Sequence, residues 1–368
     1  MASKYPQGEN QLPPLIKRML SEEPSQYTIA ILISSFLRSE GASRVAELQA
    51  RELSGLGYSV VVYTFESDII PMGYNVEVID SSVLMHSPRL NKLYRALFPF
   101  NLFKSLEICS NLKNISLIIL HQETLVTTAY LAKRSYNIKL IFWHHHITEP
   151  TFMRFGERLY NLIISPFNWR NIKKFDLIVS ISNHSRVMLQ RNKNIDSIVI
   201  YDKIDSVRFN EGYLNRTSIR EGYMIGPDDP VILFVGRITP TKNIHSLISA
   251  FKIVTMSIPS AKLIIVGKIY DEVYSEGLVK ACDDNVFFTG FVPDEELPSY
   301  YAACDVYATC SLVEGFNMPL VEAQACGKPV VAFDIGPHKE VVRSGFLVDQ
   351  GNIDKFGAVL IQVLNVQK

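Results

Sequence analysis

Apolar residues in this chain fall into two patterns. Unbroken runs such as Ile29-Ala30-Ile31-Leu32-Ile33, Leu117-Ile118-Ile119-Leu120 and Val231-Ile232-Leu233-Phe234-Val235 lack polar alternation. They read as parallel strands buried on both faces. Between them, apolar residues return every three or four positions. Val45, Leu48, Leu53 and Leu56 do so before Gly57, and Ile244, Leu247, Ile248, Phe251 and Val254 do so further on. Those spacings predict amphipathic helices. Pro319 suits a first helical turn and Gly327 a C-terminal cap, which brackets another helix. After Phe346-Leu347-Val348 one more helix is expected, about Ile353 to Val366. Strand followed by helix, repeated over 368 residues, predicts an α/β protein of two doubly wound, Rossmann-like domains. The boundaries read as 27–203 and 204–368, with the junction in Tyr201-Asp202-Lys203-Ile204-Asp205. Residues 1–26 carry Pro, Ser and Glu with little period, so a mobile leader is expected there, with a short helix near Leu15 to Leu20.

Composition adds little until it is mapped along the chain. Net formal charge is zero, yet residues 85–195 hold sixteen Lys and Arg against five Asp and Glu. Within this basic stretch, 90–104 and 152–174 interleave cations with large apolar side chains, including Phe98, Phe103, Phe155, Phe167 and Trp169. Two readings stand: peripheral association with an anionic membrane surface, or amphipathic helices that cover the first domain's sheet. No recognition module accompanies the charge, so nucleic acid is not an expected partner. No apolar run reaches a membrane span and no secretory signal pattern opens the chain, which predicts a cytoplasmic protein, at most on the cytoplasmic membrane face. The five cysteines form no C-x-x-C pair and suit reduced thiols.

Candidate chemistry concentrates in the second half. Glu314 and Glu322 stand eight positions apart, with Gly315-Phe316-Asn317-Met318-Pro319 leading into a helix. Backbone N–H groups of Gly315 to Met318, at the positive end of the helix dipole, suit a diphosphate. Upstream, Arg237 and Lys242 follow a predicted strand, where open α/β sheets bind ligands. Two fixed cations there can neutralise a leaving diphosphate, a task that transferases otherwise give to a metal; no D-x-D occurs in the chain. The plainer alternative is a solvated acidic loop and surface cations. In the first half, Gly41 precedes a helix where a ligand approaches closely or where a turn is tight. Trp143-His144-His145-His146 ends another strand. Alternating side chains prevent the three histidines from meeting at one point, which argues against a zinc site. His121 closes a neighbouring strand on the same edge, with at most a minor acceptor-side role, whereas His86, His184, His245 and His338 have no chemical company in the sequence.

The segments FVGRITPTKN at 234–243, LIIVG at 263–267, FFTGFVPDEELPSYYAACDVYATCSLVEGF at 287–316 and MPLVEAQACGKPVVAFDIGPHKEVV at 318–342 together resemble the retaining GT-B glycosyltransferases of family 4. The resemblance covers most of the second half and, more weakly, the first half from Tyr27. It implies the GT-B fold, two Rossmann-like domains facing a central cleft, and transfer from a nucleotide-diphosphate sugar without cofactor or metal. It implies that the residues matching Arg237 and Lys242 bind the donor diphosphate, that Glu314 holds sugar hydroxyls and that Glu322 holds the ribose. Backbone at Phe316, Asn317 and Met318 contacts sugar and phosphates, Val292 lies beside the base, and Gly41 meets the phosphates. His145 matches the histidine that approaches the sugar and acceptor.

Three departures from the family stand out. Asn317 replaces a common glycine, Asp202-Lys203 replaces the usual junction turn, and only one helix follows residue 348. Many relatives continue into a helix that packs on the first domain, so the domains are tied less firmly here or the chain ends early. The Trp-His-His-His segment and Val199-Ile200-Tyr201 look most like mannosyltransferases that build lipid-linked oligosaccharides, which implies GDP-mannose and a glycan or lipid-phosphate-linked acceptor. A sugar phosphorylase and an inactive scaffold that binds a sugar nucleotide or lipid are the alternatives.

Overall fold

The computed structural model describes residues 12–20, 23–79, 88–145, 155–212, 216–280 and 282–366. The chain divides into two compact units, one over residues 7–203 and one that includes 204–368. In the first unit the strands are β1 (Thr28–Leu32), β2 (Ser59–Thr64), β3 (Asn75–Val78), β4 (Leu117–Leu120), β5 (Lys139–His144), β6 (Leu177–Ser180) and β7 (Ile198–Val199). All pair in parallel, in the order β3-β2-β1-β4-β5-β6-β7. The second unit holds β8 (Val231–Val235), β9 (Lys262–Val266), β10 (Val286–Gly290), β11 (Val306–Thr309), β12 (Val330–Phe333) and β13 (Gly345–Val348). They too are parallel, in the order β10-β9-β8-β11-β12-β13.

Both sheets reverse their strand order once, between β1 and β4 in one and between β8 and β11 in the other. At such a reversal the loops leaving the carboxyl ends diverge to opposite faces and open a crevice between them. Burial explains why the strands carry so little polarity. Every residue of β4, β8, β11 and β12 is buried. Leu247, Phe251 and Val254 of the helix Ile244–Ser257 join the second core with Phe356, Leu360 and Leu364 of the final helix, Ile353–Val366.

The N-terminal segment differs from its reading as a mobile leader. Leu12–Leu20 is a helix that buries Leu12, Ile16 and Leu20, spaced four apart on one stripe, and its last carbonyl accepts the Tyr27 hydroxyl at 2.6 Å. The helix starts three residues before the expected Leu15 because Pro13 and Pro14 fall in its first turn, where a missing N–H costs nothing. Residues 1–11 lie outside the described residues.

Loops leaving β8 and β9 run against each other. Gly236 N–H donates to Val266 O and Ile238 N–H to Lys268 O, each at 2.9 Å. Gly267 has φ +151°, and a Cβ there would lie 1.8 Å from Gly236 O. No side chain fits that space. Gly267→Ala is therefore expected to cost about 3 kcal/mol in urea unfolding, as overpacking against backbone does. Gly277→Ala, on the helix Glu272–Lys280 with nothing within 4 Å, is expected to stabilise by up to about 1 kcal/mol. Equal effects of the two changes would contradict this packing.

Candidate functional site

Each unit gathers polar side chains at the carboxyl edge of its own sheet, beside its switch point. In the first unit, the loops after β1 and β4 are joined by Ser34, whose N–H donates to Gln122 Oε1 at 3.1 Å. His121 follows β4 directly and its N–H caps Leu32 O at 3.0 Å. Its imidazole is 1% exposed, with Nδ1 at 2.8 Å from His145 Nε2 and Nε2 at 3.1 Å from Gln49 Oε1. The two rings lie 5.1 Å apart, nearly parallel. Burial, then the neighbouring His145, push the His121 pKa well below the ordinary imidazole value. Asp202 Oδ2 lies 3.7 Å from His145 Nδ1, and Asp202 Oδ1 accepts the Trp143 indole N–H at 3.2 Å.

Strand alternation separates the histidines as expected. His144 turns to the other side, where its Nδ1 lies 3.3 Å from Ser185 Oγ and its ring meets the edge of Trp169. His146 lies outside the described residues. Gly41 is the first residue of the helix Gly41–Gly55, and an added Cβ would meet nothing within 4 Å. Among the described residues no neighbour requires glycine there.

In the second unit, Lys242 ends a single 3-10 turn, Pro240–Lys242, after β8. Leu312 N–H donates to Thr241 O at 2.9 Å and ties that turn to the loop after β11. The tie brings Lys242 Nζ to 2.5 Å from Glu314 Oε1, with the two side chains 18% and 10% exposed. Burial alone would raise the Glu314 pKa; the charge and hydrogen bond of Lys242 outweigh it, helped by His338 and Ser311, and hold the carboxyl below its ordinary range. The sequence reading gave Lys242 to a diphosphate and Glu314 to a sugar, whereas the structure pairs them with each other. Arg237 is exposed, with its guanidinium 5.4 Å from the centre of the Tyr270 ring.

Asn317 shows why glycine is common at its position. It precedes the helix Met318–Ala325 with φ +74° and ψ +69°, a left-handed conformation that glycine and asparagine tolerate best. Its side-chain amide donates to His338 Nε2 at 2.9 Å, while His338 Nδ1–H donates to Phe333 O at 2.7 Å. His338 is fully buried, and burial lowers its pKa against the pull of Glu314. The expectation that His338 lacks chemical company is thus corrected. So is that for His245, whose Nδ1 lies 3.2 Å from the Tyr274 hydroxyl. No sequence signal joins His338 to Asn317, because the contact depends on the two loops leaving adjacent strands.

Glu322 sits one turn inside its helix, as expected, but is fully buried and accepts the Tyr301 hydroxyl at 2.7 Å. Val292, Phe316 and Met318 are buried, while Gly315 is half-buried in the loop. A second omission from the sequence reading is Asp202, read only as turn chemistry, which the structure brings to His145 and Trp143.

Two parallel, doubly wound sheets, each with ionisable side chains beside its switch point, define a GT-B type α/β protein. The family described as Glycosyl transferases group 1 matches residues 215–368, and Glycosyltransferase Family 4 matches residues 39–208. The O-antigen chain mannosyltransferase B of Escherichia coli is 31% identical over 137 residues, 36% of each chain. A GDP-mannose-dependent alpha-(1-6)-phosphatidylinositol monomannoside mannosyltransferase of Mycobacterium tuberculosis is 31% identical over 176 residues, 44% of this chain and 45% of that one. These two matches span less than half of each relative. In fold, Alr3699/HepE of Anabaena, solved in complex with UDP-glucose, superposes with a TM-score of 0.71 at 22% identity, over 92% of this chain and 89% of that one. The chain belongs to the GT-B glycosyltransferases of the family 4 type.

The ion pair sets a pH test. Because the Glu314 pKa is depressed in the folded state, its contribution to stability is present above the ordinary carboxylate range and is lost as pH falls through the lower folded value. Lys242→Ala leaves a buried carboxylate without its ammonium and is expected to cost about 3 kcal/mol near neutral pH. Burial then raises the Glu314 pKa, so the sign reverses: the variant recovers stability as the pH is lowered toward the carboxylate range. Adding Glu314→Gln should remove most of both effects. Urea melts between pH 4 and pH 7 check this, and an unchanged pH slope in Lys242→Ala would contradict the pairing.

Proposed function

We propose that the protein transfers a hexose from a nucleotide-diphosphate sugar to a glycan or lipid-linked acceptor, with retention at the anomeric carbon and without a metal. The carrying observation is the Lys242, Glu314 and Asn317 cluster at the start of the helix Met318–Ala325, beside the β8/β11 switch point. A departing diphosphate develops negative charge. The Lys242 ammonium, the Arg237 guanidinium and the N–H groups at that helix start supply positive charge to offset it. In this reading an arriving diphosphate draws Lys242 away from Glu314, and the carboxylate so released accepts sugar hydroxyls. Glu322, held by Tyr301, is assigned to the ribose, Val292 to the base and Gly41 to the phosphates. His145 is assigned to the transferred sugar. Both relatives are named mannosyltransferases, which supports mannose as the sugar, and the name of the Mycobacterium tuberculosis relative, GDP-mannose-dependent, supports GDP-mannose as the donor.

The experiment is a thermal-shift and turnover screen with GDP-mannose, UDP-glucose, UDP-N-acetylglucosamine and ADP-glucose. One donor should raise the melting temperature and be turned over, with at least about a hundredfold loss of rate in Arg237→Ala and no effect of a chelator. Loss of activity in chelator would overturn the metal-free reading, and dependence on inorganic phosphate would favour a phosphorylase. Binding without turnover would favour a scaffold.

The acceptor reading rests on a second surface, in the first unit. Leu93, Phe103, Phe155 and Leu162 are 55%, 77%, 83% and 75% exposed. The tilted rings of Phe100 and Phe167 lie 4.8 Å apart and Lys92 pairs with Glu157 at 3.6 Å, which brings the helices Pro88–Leu97 and Phe155–Ile172 together, and Phe103 stands on the next helix, Leu102–Asn111. Exposed Arg158, Arg170, Lys173 and Lys174 belong to the same stretch. Apolar side chains rimmed by cations suit an anionic bilayer surface, where a lipid-linked acceptor is met from the cytoplasmic side. Among the described residues no helix is long and apolar enough to cross a membrane. Vesicles with 30 mol% anionic lipid (a chosen composition, roughly that of a strongly charged leaflet) should sediment the protein at low salt. Phe103→Ser with Leu162→Ser should lower the bound fraction at least about fivefold. Equal binding to neutral vesicles, or none to either, would contradict the reading.

A further inference from the structure

The contact between His121 and His145 fixes more than a ring orientation. At 2.8 Å, Nδ1 of His121 and Nε2 of His145 share one hydrogen, so only one of the two nitrogens carries it. Gln49 decides which. Its carbonyl oxygen lies 3.1 Å from His121 Nε2 and accepts a hydrogen there, which leaves Nδ1 of the neutral His121 ring with a lone pair. The shared hydrogen then belongs to His145 Nε2. Trp143 stacks on His121 at 6.1 Å between ring centres and donates its indole N–H to Asp202, so both partners of His145 are held from the same strand end.

We propose that His121 is the positioning residue for His145: it accepts the Nε2 hydrogen of that ring and so leaves Nδ1, 3.7 Å from Asp202, as the nitrogen that exchanges a proton or hydrogen bond with substrate. This rests on the assignment of His145 to the transferred sugar. A second proton arriving on His145 can enter only at Nδ1, beside the Asp202 carboxylate, and it leaves from the same atom. Nε2 is committed throughout. Such fixing matters because a ring free to rotate presents either nitrogen or a C–H edge to the sugar, and small misplacements of an acting group are costly in rate. Nothing in the alternation of β5 reveals this arrangement, since His121 comes from the loop after β4 and Gln49 from the helix Gly41–Gly55.

The test uses the full chain labelled with nitrogen-15 at histidine. In the wild type one ring N–H, slow to exchange with water, should couple to nitrogens of both His121 and His145, and it should be bonded to Nε2 of His145. A hydrogen found on Nδ1 of His121 instead, or no shared hydrogen, overturns the proposal. His121→Leu should release the His145 ring and lower kcat at least about tenfold with little change in donor KM, measured with whichever of GDP-mannose or UDP-glucose the protein turns over. His121→Asn, whose amide oxygen can accept the same hydrogen, should recover most of that loss. It also guards against a mere folding defect in the leucine variant. If His145→Ala is inactive while His121→Leu keeps the wild-type kcat, only this inference fails. Wild-type activity in His145→Ala would instead sink the assignment of His145 itself.

Discussion

A parallel strand buried on both faces leaves its end as the main place for polar chemistry. In this protein that constraint governs both units, since the strands beside each switch point are buried almost throughout and the ionisable groups lie past their carboxyl ends. His121 follows the last residue of β4, and Lys242 and Glu314 lie in the loops after β8 and β11. Core packing therefore fixes these side chains indirectly, by anchoring the strand from which each loop departs. The close contact of Gly236 with Gly267 is part of the same anchoring, because a wider separation of those two loops would move the loop that carries Lys242.

Much of this was legible in the residues themselves. Unbroken apolar runs mark buried strands, threefold and fourfold spacing marks helices, and a proline and glycine bracket the helix Met318–Ala325 closely. Lys242 could be singled out because it follows a recognisable strand signal, Glu314 because it precedes a proline-marked helix start, and His145 through the resemblance to family 4. What stayed hidden is contact across sequence. Asn317 and His338 are 21 residues apart and His121 and Gln49 are 72 apart, and periodicity does not say which loops become neighbours. The N-terminal helix was underestimated for a local reason, two prolines in a first turn that tolerates them.

The two clusters differ in what they ask of a ligand. In the second unit Lys242 and Glu314 satisfy each other, so the diphosphate of the proposed donor would compete with a carboxylate for the same ammonium. In the first unit the histidine pair is nearly sealed, with His121 at 1% exposure, and the role proposed for it is to orient one ring. Asn317 adds a further constraint, since its amide is spent on His338 and a glycine at that site would free both the backbone and the imidazole.

The central claim is retaining transfer from a nucleotide sugar, and the configuration of the product tests it most directly. The one-bond carbon–hydrogen coupling at the anomeric centre, recorded on the first product formed from a donor labelled with carbon-13 at C1, reports that configuration before any spontaneous equilibration. The account predicts a product with the donor's own α configuration, released together with a nucleoside diphosphate. A β-linked product would contradict it.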